Sequence, residues 1–107
     1  MKIIVVEPQN KPYTKEIRGD LKSMQDIVKG LIEPIYIDNY LAIIVNEEGK
    51  IAGLPANRII YNDNFLDIIC GTCFICMAPP NSDEFESIPD TMIEIFVSMF
   101  SNILVKI

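Results

Sequence analysis

Apolar and polar residues alternate in short runs, and the period of the alternation changes along the chain. Lys2–Glu7 (KIIVVE) is a β-branched run stopped by Pro8, and Tyr13–Ile17 (YTKEI) alternates as a shorter, edge-like strand. From Leu21 to Lys29 the period becomes helical. Leu21, Met24, Ile27 and Val28 share one face, with Asp20 as N-cap and Gly30 as stop. Leu31–Ile37 and Tyr40–Asn46 are apolar runs joined by Asp38-Asn39, a hairpin pattern. Glu48-Gly49 makes a further turn before the short run Lys50–Leu54. A polar loop, Tyr61–Asn64, precedes Asp67–Met77, which reads as one buried strand. Ala78–Glu86, with two prolines and three acids, is the least regular stretch. Ser87 and Asp90 form a capping box opening a second helix to about Phe100, and Ile103–Ile107 is a tail or last strand. This order predicts a single α+β domain over residues 1–107, a mostly antiparallel sheet with two helices packed on one face.

The second helix is apolar over more than one side: Met92, Ile93, Ile95, Phe96, Val97, Met99 and Phe100 spread round its wheel. Two readings fit, a helix deep in the monomer core or one covered by a second subunit in a homo-oligomer. At 107 residues and 50% hydrophobic the chain fills a core of its own. The longest uncharged apolar run, Ile68–Pro80, is broken by Gly71 and Thr72 and falls short of the roughly 18 residues of a membrane helix. The N-terminus shows no secretory cleavage pattern, so the expected setting is the cytoplasm, away from membranes.

Charge is unevenly placed. The total is −6, but residues 1–60 balance 8 acids with 8 bases, whereas residues 61–107 carry 7 acids and only Lys106. A field of that sign repels phosphate backbones and disfavours nucleic acid as a partner. It suits either plain solubility or a basic protein surface.

Cys70, Cys73 and Cys76 form C-x-x-C-x-x-C, a spacing that suggests a metal. The chain has no fourth cysteine and no histidine, so neither a four-ligand zinc site nor an iron–sulfur cluster can be completed from these types. On a continuous strand Cys73 points away from Cys70 and Cys76. The three read as small core residues, and no metal or other cofactor is expected.

Absence of histidine also removes Ser–His and Cys–His nucleophiles, and no phosphate-binding glycine loop is present. The segment Asn46–Tyr61 (NEEGKIAGLPANRIIY) carries the densest candidate chemistry. Pro55 stands where a short helix could start, with first-turn amides free for an anion. Asn46, Glu47, Glu48, Lys50, Gly53, Asn57 and Arg58 form the candidate ligand-binding set, suited to a phosphate, carboxylate or nucleotide. The alternative is structural, Asn57 capping a turn and Arg58 pairing with Glu47 or Glu48.

The stretches Ile27-Val-Lys-Gly-Leu-Ile-Glu33, Asn46-Glu-Glu-Gly-Lys50, Gly53-Leu-Pro-Ala-Asn-Arg58 and Asp67-Ile-Ile-Cys-Gly-Thr72 resemble a family of small uncharacterised proteins of bacteriophages, prophages and Firmicutes mobile elements, a domain of unknown function. The resemblance runs from Lys2 to about Phe100. Where that family usually has two glycines before Ile-Glu, this chain has Lys29-Gly30-Leu31. The resemblance implies a phage or mobile-element origin and no assigned activity. Three functions follow as expectations. The first is a counter-defence protein that sequesters a small anionic, nucleotide-like host signal without catalysis. The second is an acidic antagonist of a host defence nuclease or other basic host protein, and the third a nucleotide-modifying enzyme using Glu47 or Glu48 as base.

Overall fold

The computed structural model describes every residue except Asn39, so the Asp38-Asn39 turn lies partly outside the described residues. The elements are β1 (Lys2–Val6), β2 (Tyr13–Glu16), α1 (Leu21–Val28), β3 (Ile32–Tyr36), β4 (Leu41–Asn46), β5 (Ala56–Asn62), β6 (Phe65–Cys70), β7 (Cys73–Met77), α2 (Asp90–Phe100) and β8 (Leu104–Lys106). They make two sheets: five antiparallel strands in the order β2-β1-β7-β4-β3, and three in the order β6-β5-β8, where β8 runs parallel to β5. The α+β class is as the sequence pattern predicts. The single sheet and the shared helix face are not.

The hydrophobic pattern explains the layering. Strands β1, β4 and β7 are buried on both faces and read as continuous apolar runs. Ile3, Val5, Ala42, Ile44, Phe74 and Cys76 face α1, which contributes Met24 and Val28. Ile4, Val6, Leu41, Ile43, Val45, Cys73 and Ile75 face the other way, onto Ile60, Ile69 and Val105 of the small sheet and Phe96 and Phe100 of α2. The two helices therefore lie on opposite sides of the large sheet. One face of β7 would otherwise stay bare, and the small sheet with α2 is what covers it.

Asp20 caps α1 as expected, its carboxylate accepting from the Ser23 amide at 3.0 Å. The left-handed residue that ends the helix is Lys29 (φ 66°) rather than Gly30. The capping box is not formed: α2 starts at Asp90 with Pro89 as N-cap and no side-chain cap, while Ser87 Oγ accepts from the Lys2 amide at 2.9 Å. The broad apolar wheel of α2 is used within the chain. Met92, Ile93, Val97 and Met99 pack partly buried around Phe96 and Phe100, leaving Ile95 as the exposed apolar residue.

The expected single strand Asp67–Met77 is two strands in two sheets. Gly71 at φ 89° turns the corner, its amide donating to the Pro55 carbonyl at 2.8 Å. Cys70 ends one strand, and Cys73 and Cys76 lie in opposite core layers of the next. Among the described residues no group of three His, Cys, Asp or Glu side chains converges, and no helix is long and apolar enough to cross a membrane.

The turn after β4 is seated on β6. A Cβ at Gly49 would stand 2.4 Å from the Cys70 carbonyl oxygen, whereas one at Gly53 meets nothing within 4 Å. Gly49→Ala is therefore expected to lower stability by about 2–3 kcal/mol, since backbone on both sides must give way. Gly53→Ala carries only the left-handed penalty of about 1 kcal/mol. Urea denaturation ranks the two, and equal midpoints would show that the turn does not rest on β6.

Candidate functional site

Ala56 pairs with Cys70 but Ile59 with Ile68, so β5 holds one residue more than β6 over this stretch. Such a bulge breaks the in–out alternation and re-aims a side chain. As a result the consecutive residues Asn57 and Arg58 both point inward, with 4% and 2% exposure. Pro55 opens a strand and not a helix, so no free helix amides stand beside Arg58.

Arg58 meets no carboxylate. Its Nε donates to the Phe100 carbonyl at 2.8 Å, Nη2 to the Asn10 carbonyl at 2.7 Å, and Nη1 to Asn57 Oδ1 at 2.8 Å and the Glu7 carbonyl at 3.4 Å. Phe100 ends α2, which has no basic residue in its last turn, so the guanidinium supplies the positive charge that a helix C-terminus favours. Burial lowers the Arg58 pKa from its ordinary value, and a guanidinium still stays charged. Asn57 Nδ2 donates to the carbonyls of Val6 at 2.8 Å and Gly71 at 2.9 Å. The pair is a structural joint. The partners expected for Arg58, Glu47 and Glu48, are not the ones it uses.

The rest of the candidate set divides. Asn46, Glu47 and Lys50 line a cavity of about 220 Å³ together with Glu33 and Ile35 of β3, Val45 of β4 and Asp67–Cys70 of β6. Glu48, Gly53, Asn57 and Arg58 are not among its walls. Asn46 has structural work as well: Nδ2 donates to the Val28 carbonyl at the end of α1 at 3.0 Å, and Oδ1 accepts from the Glu48 amide at 2.8 Å. Lys50 is ion-paired to Asp67, which raises its pKa. The same Asp67 carboxylate accepts from the Ile68 amide at 2.8 Å.

Glu33 and Asp67 escaped the sequence reading because each is remote in the chain from Asn46–Lys50. A signal existed: each is a lone acid inside an apolar run, LIEPI and FLDII. Glu33 and Glu47 have no ion-pair partner among the described residues. Three carboxylates thus face one lysine that is already paired.

A small two-sheet α+β protein with an acidic groove between the edges of its sheets is what these residues build. The family model for a domain of unknown function, DUF3846, matches residues 1–101, and the chain belongs to that family. No curated protein and no solved structure matches it.

Two outcomes follow from this geometry. Arg58→Ala orphans the Phe100 and Asn10 carbonyls and Asn57 Oδ1 in the interior, and is expected to cost about 3 kcal/mol or more of stability. Arg58→Lys keeps the charge, loses the fork, and is expected to recover only part of that loss. Urea titration decides it: an Arg58→Ala protein as stable as wild type would remove Arg58 from its structural role.

The second concerns the thiols. Burial pushes Cys73 and Cys76 from an ordinary value of 9.0 up to about 12. Between these values the folded state keeps protons that the unfolded state has released. The stability they confer is thus complete below pH 9 and is lost as pH rises towards 12. Each thiol is expected to steepen the decline by about 1.4 kcal/mol per pH unit in that window. A Cys73→Ala, Cys76→Ala protein should show a shallower decline on its own lower baseline; an identical slope would show that the thiols are not protected.

Proposed function

We propose that this chain is a non-catalytic binding protein whose acidic groove captures a cationic side chain, lysine or arginine, of a basic partner protein. The observation that carries this reading is the groove's charge: Glu33, Glu47 and Asp67 around a single lysine already held by Asp67. A phosphate entering there meets net negative charge, whereas a guanidinium or ammonium finds two unpaired carboxylates. Size supports the same choice, since about 220 Å³ is smaller than the roughly 300–1,000 Å³ of pockets that enclose whole small molecules. One long side chain fits that space better than a nucleotide.

The excess of acids in residues 61–107 adds long-range attraction for a basic surface. The resemblance to phage and mobile-element proteins makes a host defence nuclease or another basic host protein in the bacterial cytoplasm the proposed partner. Sequestration of a nucleotide signal leaned on Arg58 and a helix start. Arg58 is engaged inside the fold and the helix start is a strand, and the groove's unpaired carboxylates disfavour an anion.

Binding of a fluorescent arginine-rich peptide, against a panel of linear and cyclic nucleotides, tests the proposal. The peptide is expected to bind, to weaken about three- to tenfold with Glu33→Gln plus Glu47→Gln, and to dissociate near 1 M salt, where the screening length is about 3 Å. Tight binding of a nucleotide, or a peptide affinity unchanged in the double variant, would overturn it.

A further inference from the structure

We propose that the outer edge of β2, with the groove between it and α1, takes up an extended acidic segment of a partner protein as an added antiparallel strand. The amino group of Met1 donates to the Ile17 carbonyl at 2.7 Å, and the Ile17 amide donates to the Met1 carbonyl at 2.9 Å. Antiparallel ladders alternate bonded and non-bonded pairs, so in this register Ile3–Lys15 and Val5–Tyr13 are bonded pairs too. Thr14 and Glu16 therefore aim their N–H and C=O groups away from β1. Those groups have no partner in a turn, loop or neighbouring strand among the described residues.

The other sheet edges differ. On β3 the Leu31 carbonyl and the Ile37 amide are bonded to β4, which leaves Pro34 at an outward position with no amide to offer. On β6 the Asp67 carboxylate holds the Ile68 amide, and β8 is only three residues long. Strand β2 combines open backbone groups with a groove alongside. That groove, of about 440 Å³, has room for the side chains of an added strand and is lined by Lys15, Ile17 and Arg18 and, from α1, by Ser23, Asp26 and Ile27. Directly opposed residues of an antiparallel pair share a face, so Tyr13, Lys15 and Ile17 stand with Val5, Ile3 and Met1 on the α1 side of the sheet. A strand added here carries one row of side chains over that face, its middle residue opposite Lys15 and the flanking ones opposite Tyr13 and Ile17.

Charge selects the occupant. Six of the nine bases lie in the first 30 residues, beside four acids. At the groove Asp26 is paired with Lys22 and Arg18 with Asp20, whereas Lys15 is exposed and has no ion-pair partner among the described residues. A second copy pairing antiparallel through β2 meets an obstacle at each register that uses these groups. With Thr14 opposite Glu16, Lys15 stands against its own counterpart. A shift of two residues one way sets Glu16 against its counterpart, and a shift the other way sets Glu16 against Pro12, which has no amide. Like charges directly opposite destabilise a ladder and opposite charges stabilise it. The fitting segment is thus an acid with an apolar residue two positions to either side, its main chain supplying affinity and its alternate side chains specificity.

The probe is a fluorescein-labelled, end-capped peptide, Thr-Val-Thr-Glu-Thr-Val-Thr, titrated into the full chain by anisotropy, with amide hydrogen exchange followed by NMR. It is expected to bind saturably and to slow exchange at Thr14 and Glu16. Replacing its central glutamate by lysine is expected to weaken binding about threefold or more, and Lys15→Glu to invert that preference. Lys15 is exposed, and thermal melts confirm that the variant folds. N-methylation of the two threonines flanking the glutamate, which removes the donors facing β2, is expected to weaken binding about tenfold or more. No saturable binding up to about 1 mM peptide, an N-methylated probe that binds as well as its parent, or a glutamate preference unchanged by Lys15→Glu would each overturn the proposal. So would Thr14 and Glu16 amides that slow with rising protein concentration alone, since a second copy would then occupy the edge.

Discussion

The buried guanidinium of Arg58 is the constraint from which the rest of this fold follows. A charge taken out of water is tolerable only when its hydrogen-bonding groups are satisfied, and here the acceptors are four oxygens from three stretches: the carbonyls of Glu7, Asn10 and Phe100, and the side chain of Asn57. Satisfying Arg58 therefore fixes the β1–β2 connection, β5 and the end of α2 relative to one another. Asn57, carried inward by the same bulge, adds the end of β1 and the corner at Gly71. The two sheets touch through hydrophobic contacts that are individually interchangeable. The polar joint is what gives them a single relative position.

The polar and glycine residues from Asn46 to Arg58 have a structural logic. Asn46 ties the end of α1 to the following turn, Gly49 lets that turn reach the Cys70 carbonyl, and Lys50 pins it to Asp67. Leu54 packs on Gly71, and Asn57 and Arg58 complete the joint. The turn also screens an edge strand. Asp67 occupies the Ile68 amide and Lys50 sits over it, while the other edge, β3, carries Pro34, which has no amide to offer. The groove between these edges is left open to side chains but not readily to a pairing strand.

Much of the fold was legible in the sequence, because periodicity reports burial on one face at a time. It located five of the eight strands to within a residue or two at their ends, with Ile103–Ile107 counted as β8, merged β6 and β7 into one, missed β5, and located both helices. It failed where local and distant preferences competed. The run Asp67–Met77 is apolar throughout, and nothing in its period says that a chain turns at Gly71 and changes sheets. Pro55 suits the first turn of a helix and the approach to a strand equally well, and pairing with β6 and β8 decided between them. Of the candidate site, three residues do line one groove, but Arg58 could not be read correctly. Its acceptors are mostly backbone carbonyls, which leave no trace in side-chain identity.

The same joint bears on how the protein is made. Nothing near Arg58 in the chain can take up its Nε proton; the acceptor, Phe100, lies 42 residues downstream, and the strand that fills the centre of the large sheet, β7, must first return across β1. A nascent chain that has exposed β1 to β6 has an arginine with no interior to enter, and its early strands stay unsealed until α2 has left the ribosome. Folding of this domain is thus bound to the completion of α2 rather than to the order of synthesis.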